Sequence, residues 1–275
     1  MKQRVSIQGF EGSFHQIAAE TFFGSGVEVA TCPNFRDVVS LTQNGETFAG
    51  VMAIENSIAG SILPNYILLQ NADLSIVGEV YLPIDQHLLV FPGVRLEDIR
   101  EVNSHPMAIQ QCMDYLTRHT WKLVETEDTA LSAKRIAERK SQHAAAIAGK
   151  LAAELFDLEI LAQSIQTEPH NYTRFLVLQK SAATIQDANK ASVSFETDHS
   201  KGSLARVLSM IAEGGINLSK LQSFPIPGSH WKYMFHADME FDTPDTFYKV
   251  IKTIQPAVEG IKILGIYKNG QSKNL

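Results

Sequence analysis

The sequence predicts an α/β protein in two parts: a two-lobed α/β portion with a ligand-binding cleft, then a smaller domain of βαββαβ order. Three observations carry this. Strand-like and helix-like segments alternate from residue 4 onward, as in a parallel sheet with helices on its faces. The alternation breaks over Leu74–Phe91, where two strand-like runs follow each other around Pro83, and then resumes. Finally, the polar connector Lys180–Asn189 precedes a compact closing pattern, which marks a domain boundary.

In the first part, Arg4–Gln8 reads as a strand, Ser13–Phe23 as a helix, Val27–Thr31 as a strand and Phe35–Gln43 as a helix. The apolar run Ala49–Ile54 suits a buried parallel strand, and Ser61–Gln70 a helix. Ser75–Leu82 and Gln86–Phe91 are the two successive strands that carry the chain into a second lobe. There, Glu101–Asn103 is extended, and Pro106 opens a helix running to about Arg118. Lys122–Glu125 and Ala144–Ala148 read as strands, Thr129–Arg139 and a segment ending near Phe156 as helices, and Thr173–Leu178 as a strand returning to the first lobe. Two such lobes make a cleft of the kind that binds small ligands.

After the connector, Ala191–Glu196 is a strand, and Gly202–Ala212 is a helix ended by Gly214-Gly215. Ile216–Phe224 and Trp231–Phe241 are strands joined by Pro225-Ile226-Pro227-Gly228; Asp245–Ile254 is a helix and Ile261–Tyr267 the closing strand. This βαββαβ order predicts a four-stranded antiparallel sheet with two helices on one face.

Composition narrows the function. The 275 residues are 44% hydrophobic and 20% charged, with a formal net charge of −6. With no basic block to offset that charge, nucleic acid and anionic membrane are poor partners. Cys32 and Cys112 lack metal-ligand spacing and make no disulfide framework. Met1–Arg4 leads straight into a strand, with no signal-like apolar region and no bilayer-length apolar run, so cytoplasmic residence is expected. No phosphate loop, nucleophile elbow or H-E-x-x-H helix is present, and Gly9-Phe10-Glu11-Gly12 lacks the third glycine of a dinucleotide fingerprint. A nicotinamide cofactor is not expected.

Three segments carry convergent polar groups. Ala53–Ser61 contains Glu55-Asn56-Ser57 at a strand-to-helix junction, where ligands bind in open α/β sheets; the same residues also suit a plain helix cap. Ser104–Cys112 repeats the arrangement, with Ser104 as a candidate cap and Gln111 two turns further on. Its alternative reading is a capped helix with a solvated Gln, and His105 at such a junction often bonds only backbone. Asn171–Phe175 offers the Thr173 hydroxyl and the planar Arg174 fork, which suits a carboxylate, or else an edge-strand pair facing solvent.

Taken in order, Ile54-Glu55-Asn56-Ser57 with Gly60, Ser104-His105-Pro106 with Gln111-Cys112, and Thr173-Arg174-Phe175 resemble the signature segments of the prephenate dehydratases. Gly9 and Gly12-Ser13-Phe14 add to the resemblance, which spans essentially the whole chain, and the tail resembles an ACT domain. The resemblance implies a two-lobed, periplasmic-binding-protein-like catalytic domain over residues 1–180, with lobe one at about 1–80 plus 165–180 and lobe two at about 81–164. A ferredoxin-like ACT regulatory domain would follow over 190–275.

The implied reaction converts prephenate to phenylpyruvate, water and carbon dioxide without a cofactor. Thr173 would donate to the leaving hydroxyl, with a protonated Glu55 as the alternative acid. Asn56, Ser104 and Gln111 would supply neutral donors, and Arg174, Ser57, Phe175 and His105 would bind substrate. In the tail, Gly202, Ser203, Leu204, Asn217 and Leu218 would bind phenylalanine, and a homodimer or homotetramer is implied. The family's Glu-Ser-Arg-Pro segment reads Gln222-Ser223-Phe224-Pro225 here, without either charge. Two rivals stand beside this reading: an arogenate dehydratase acting on the amino analogue, and a non-catalytic amino-acid-binding module.

Overall fold

The computed structural model describes residues 4–181, 187–226 and 232–270. Part of the Lys180–Asn189 connector, Pro227-Gly228 and Trp231 lie outside the described residues. In chain order the elements are β1 (Arg4–Gln8), α1 (Phe14–Phe23), β2 (Glu28–Cys32), α2 (Phe35–Asn44), β3 (Ala49–Asn56), β4 (Gly60–Ser61), α3 (Leu63–Asn71), β5 (Ser75–Pro83), β6 (His87–Val90) and β7 (Glu101–Ser104). There follow α4 (Pro106–Gln111), α5 (Met113–Leu116), β8 (Lys122–Glu125), α6 (Thr129–Arg139), β9 (Ala144–Ala148), α7 (Lys150–Leu155), β10 (Glu159–Ala162) and β11 (Tyr172–Gln179). The last elements are β12 (Lys190–Glu196), α8 (Ser203–Glu213), β13 (Asn217–Pro225), β14 (Tyr233–Glu240), α9 (Pro244–Ile254) and β15 (Glu259–Tyr267).

The chain divides into two compact units. The first holds residues up to Ile62 and Val80–Phe175; the second holds Leu63–Glu79 and the chain from Leu176. This grouping differs from a division at residues 180–190, because Leu63–Glu79 joins the C-terminal elements.

In the first unit, β1 pairs in parallel with both β2 and β3, within the strand order β2-β1-β3-β11-β5. Side-chain caps fix the helix starts. Ser13 accepts from Gln16 N–H at the start of α1, and Asn34 from Asp37 N–H at the start of α2. The second sheet has the order β10-β6-β9-β7-β8 and is mixed rather than parallel: β7 runs parallel to β8 and β9, while β6 is antiparallel to β9 and β10. Neither β10 nor the two-residue β4 is foreseen from the sequence.

Strand β9 organises this half. Its five residues, Ala-Ala-Ala-Ile-Ala, are all buried. Successive side chains point to opposite faces. Ala144, Ala146 and Ala148 pack with Ala130, Ala133 and Ile136 of α6, whereas Ala145 and Ile147 pack with Val102, Ile109, Cys112 and Leu116. The helix expected over Pro106–Arg118 is interrupted at Cys112, whose φ and ψ are −109° and 13°. The Gln111 carbonyl accepts the Thr167 N–H at 2.8 Å, so the N–H of Tyr115 turns to the Cys112 carbonyl instead. Burial in this core pushes the Cys112 thiol up to about 12.

In the second unit, β13-β14-β12-β15 form a four-stranded antiparallel sheet. One face, including Val193, Phe195, Ala237 and Met239, packs on Val207 and Ile211 of α8 and Phe247, Val250 and Ile254 of α9. The other face buries Ser192, Ser194, His236 and Asp238. Ser192 Oγ bonds to Asp238 Oδ1 and to Tyr267 Oη, and His236 Nε2 lies 3.1 Å from Asp238 Oδ1. Tyr66 of α3 packs edge-on against His236 and also against Phe224. Lys262 Nζ caps the end of α3 by donating to the carbonyls of Gln70 and Ala72, and Lys190 Nζ donates to both Glu79 oxygens at 3.0 and 3.2 Å. Gly265 sits so close to Ile76 that a β-carbon would stand 2.2 Å from the Ile76 carbonyl oxygen. These contacts draw Leu63–Glu79 into the C-terminal unit.

Candidate active site

A cavity of about 380 Å³ lies within the first unit. The end of β3 supplies Ala53 and Asn56, β11 supplies Thr173 and Phe175, and the cap and first residues of α1 supply Ser13, Phe14 and His15. The second sheet contributes His105, Met107 and Gln111 at α4, and Glu127, Asp128 and Thr129 at the start of α6.

Asn56 is the hub of the polar wall. Its Oδ1 accepts from the N–H groups of Ile58 and Ala59, which fixes the amide. Its Nδ2 donates to Asn171 Oδ1 at 2.7 Å, to the Tyr172 carbonyl at 3.2 Å and to Thr173 Oγ1 at 3.0 Å. Because the Thr173 oxygen accepts from Asn56, its own hydrogen is available for a ligand. Ser57 stitches the two segments together: Tyr172 N–H donates to its hydroxyl, which donates to the His170 carbonyl. Ser57 itself is exposed and does not line the cavity.

Strand alternation corrects the expectation for Arg174. Thr173 and Phe175 line the cavity, so Arg174 between them points to the opposite face. There it is 5% exposed, with its guanidinium over the Tyr81 ring, 5.9 Å from the centroid. Ser104 is also displaced from its expected place. It is fully buried and donates to the Ile147 carbonyl at 2.7 Å, while the cap of α4 is His105, whose Nδ1 accepts from Met107 N–H. In the neutral ring this puts the His105 proton on Nε2. Gln111 lines the cavity, whereas Glu55, half-buried at the end of β3, does not.

Several wall residues escape sequence reasoning. His15 lies edge-on to Phe175, with ring centroids 5.0 Å apart, and against Phe35. Its Nε2 is buried without a hydrogen-bond partner among the described residues, and burial holds the imidazole down to about 3, so the ring is neutral at physiological pH. Gln86 is 3% exposed, and its amide oxygen has no donor among the described residues. Asp128 caps α6 by accepting from Leu131 N–H through Oδ1. Gly9, at φ 92°, lies against Oδ2; a β-carbon there would stand 2.7 Å from that oxygen. Burial raises the Asp128 carboxyl, partly offset by the backbone N–H groups of the helix start. Glu127 is instead held at about 2 by its hydrogen bonds with Arg135. An Asp immediately before a helical run is a legible cap signal, but nothing in sequence directs its second oxygen to a cavity. No group of three or more His, Cys, Asp or Glu side chains that could hold a metal ion occurs among the described residues.

In the C-terminal unit, a separate cavity of about 280 Å³ is lined by Ser203, Leu204, Thr197–Ser200, Tyr233 and Phe235. Gly202 precedes α8 at φ 82°, a conformation that favours glycine, and Ser203 donates to the Asp198 carbonyl. Asn217 and Leu218 do not line this cavity: Asn217 donates to Glu240, and Leu218 packs on the core.

Fold and site together define a mixed α/β protein with an apolar-walled cavity whose hydrogen-bond donors are mostly neutral. The family model of prephenate dehydratase matches residues 5–183. A bifunctional chorismate mutase/prephenate dehydratase of Enterobacter agglomerans is 34% identical over 272 residues, covering 96% of this chain and 70% of that protein. Among solved structures, prephenate dehydratase from Arthrobacter aurescens in complex with L-Phe has a TM-score of 0.86 at 26% identity, covering 98% of this chain and 90% of that one. GqqA, described as a novel type of quorum quenching acylase, has a TM-score of 0.89 at 28% identity, covering 99% and 100%. The chain belongs to the prephenate dehydratase family.

Proposed function

We propose that this chain converts prephenate to phenylpyruvate, with residues 1–180 as a two-lobed, periplasmic-binding-protein-like catalytic domain and 190–275 as an ACT regulatory domain. The observation that carries the chemistry is the Asn56–Thr173 hydrogen bond, which leaves the Thr173 hydrogen for the substrate. In the reaction the bond from the ring to its carboxylate breaks, and its electron pair makes the ring aromatic. The bond to the ring hydroxyl breaks, and the departing oxygen leaves as water after taking up one proton. Thr173 stabilises that oxygen with a hydrogen bond, a preorganised donor acting where charge develops. Glu55, away from the cavity lining, is the less suited donor.

Placement supports the other proposed roles. The first-turn N–H groups of α1, beside Ser13 and His15, receive a substrate carboxylate. Gln111 and His105 contribute hydrogen bonds from the second sheet, and Phe175 packs on the ring. Ser104 acts through the backbone it anchors, and Ser57 through the β11 loop. A continuous assay for phenylpyruvate with the purified chain tests this reading. Absence of product from prephenate refutes it.

Amide hydrolysis is the second reading, favoured by the apolar wall of Phe14, Phe35 and Phe175 and by the acylase described for one structural neighbour. Thr173 lacks the hydrogen-bonded base that a hydroxyl nucleophile needs, which weighs against it. Release of a free amine from an N-acylated substrate is the deciding measurement.

The C-terminal domain is proposed to sense phenylalanine in a cytoplasmic homodimer or homotetramer. Its βαββαβ order and the L-Phe complex of the Arthrobacter relative support this. Calorimetry that detects another amino acid but no phenylalanine overturns it.

A further inference from the structure

The Asp128 carboxylate has no use in the reaction as described. It stands in a cavity wall that contains no Lys or Arg side chain among the described residues, and it makes no ion pair among them. The second wall carboxylate, Glu127, is already matched by Arg135 at 2.7 Å. Of the wall histidines, His15 is held neutral and His105 uses Nδ1 as the α4 cap. His105 acts on Asp128 through space, but no side chain forms an ion pair with this carboxylate among the described residues. One of its oxygens caps α6, and the other is kept clear by the missing side chain of Gly9.

We infer that Asp128 is a specificity-determining residue: it favours a substrate whose side-chain α-carbon carries an ammonium group over one that carries a keto oxygen. This rests on the dehydratase reading and deepens it. A keto oxygen only accepts hydrogen bonds, and the keto substrate brings two carboxylates toward Asp128. The amino counterpart has the same two carboxylates, but its ammonium lowers the net negative charge by one and offers three N–H donors. The buried oxygen of Gln86, which lacks a donor, is a second acceptor in the same wall. Burial penalises an unpaired carboxylate, and an ammonium partner removes that penalty.

The test compares kcat/KM for prephenate and its α-amino counterpart in the full-length wild-type chain and in Asp128→Asn and Asp128→Ser. Both substitutes are competent helix caps, and thermal melts report whether α6 is retained. Losing one charge-assisted hydrogen bond lowers the amino-to-keto ratio of kcat/KM roughly tenfold to a hundredfold in both variants. A ratio that stays within about twofold of wild type, or a wild-type chain that processes only the keto substrate, overturns the inference and leaves the dehydratase reading standing. No product from either substrate overturns both.

Discussion

Asn56 Nδ2 and Thr173 Oγ1 lie 3.0 Å apart, although 117 positions separate them in sequence. The amide is locked by two backbone N–H groups on its other side, so the orientation of the hydroxyl is set before any substrate arrives. Thr173→Ala is expected to lower kcat by roughly a hundredfold or more, with a much smaller change in KM. Thr173→Ser retains the oxygen and recovers most of the loss. Steady-state kinetics on prephenate check both. A rise in KM without a fall in kcat reassigns Thr173 to ground-state binding.

Arg174 supplies a contrast on the neighbouring position. It is buried on the face of β11 away from the cavity. Arg174→Gln should lower stability by about 1–3 kcal/mol, the range for disrupting a buried polar group, while KM changes less than about threefold. Denaturant unfolding and steady-state kinetics on one preparation separate the two effects. A tenfold rise in KM at unchanged stability puts Arg174 on the substrate.

His15 makes the fold sensitive to acid. Its folded-state value near 3 lies below the ordinary histidine value, so the unfolded chain binds the extra proton as pH falls through 6.5. Stability from this group is fully present above that pH and is lost below it. Linkage gives a loss of about 2 kcal/mol between pH 7 and pH 5. Comparing urea midpoints of wild type and His15→Gln at these two pH values checks the prediction, since the variant lacks this component.

In the C-terminal unit, Lys190 is 1% exposed and Glu79 is 4% exposed. Removing one partner leaves the other charge buried, so Lys190→Ala is expected to cost about 3–5 kcal/mol. The double replacement Glu79→Gln with Lys190→Met should recover much of that loss. Thermal melts of both variants beside wild type test it, and a single variant with unchanged melting refutes the ion pair's importance.

Most elements of the fold are legible in sequence because local signals fix them. Ser13, Asn34 and Asp128 cap helices, and the runs at Ala49–Ile54 and Ala144–Ala148 are strands. The orientation of Arg174 was legible too, since placing Thr173 in the cavity sends its neighbour to the other face. The interruption at Cys112 was not legible, because it depends on the Thr167 N–H reaching the Gln111 carbonyl from far along the chain. The grouping of Leu63–Glu79 with the C-terminal elements depends likewise on Lys190 and Lys262. The neutral wall at His15 and the acidic one at Asp128 arise where separate segments meet, which no local pattern encodes.

The alanines of β9 act as a spacer gauge for the site. Ala144 and Ala146 pack against α6, and Asp128 sits at the N-terminal tip of that helix. The position of the acidic group is thus set by side chains that never touch a ligand. Exchanging Ala146 for a larger residue shifts the whole helix outward and carries Asp128 with it. Substrate preference in this protein is tunable from the core as well as from the cavity wall.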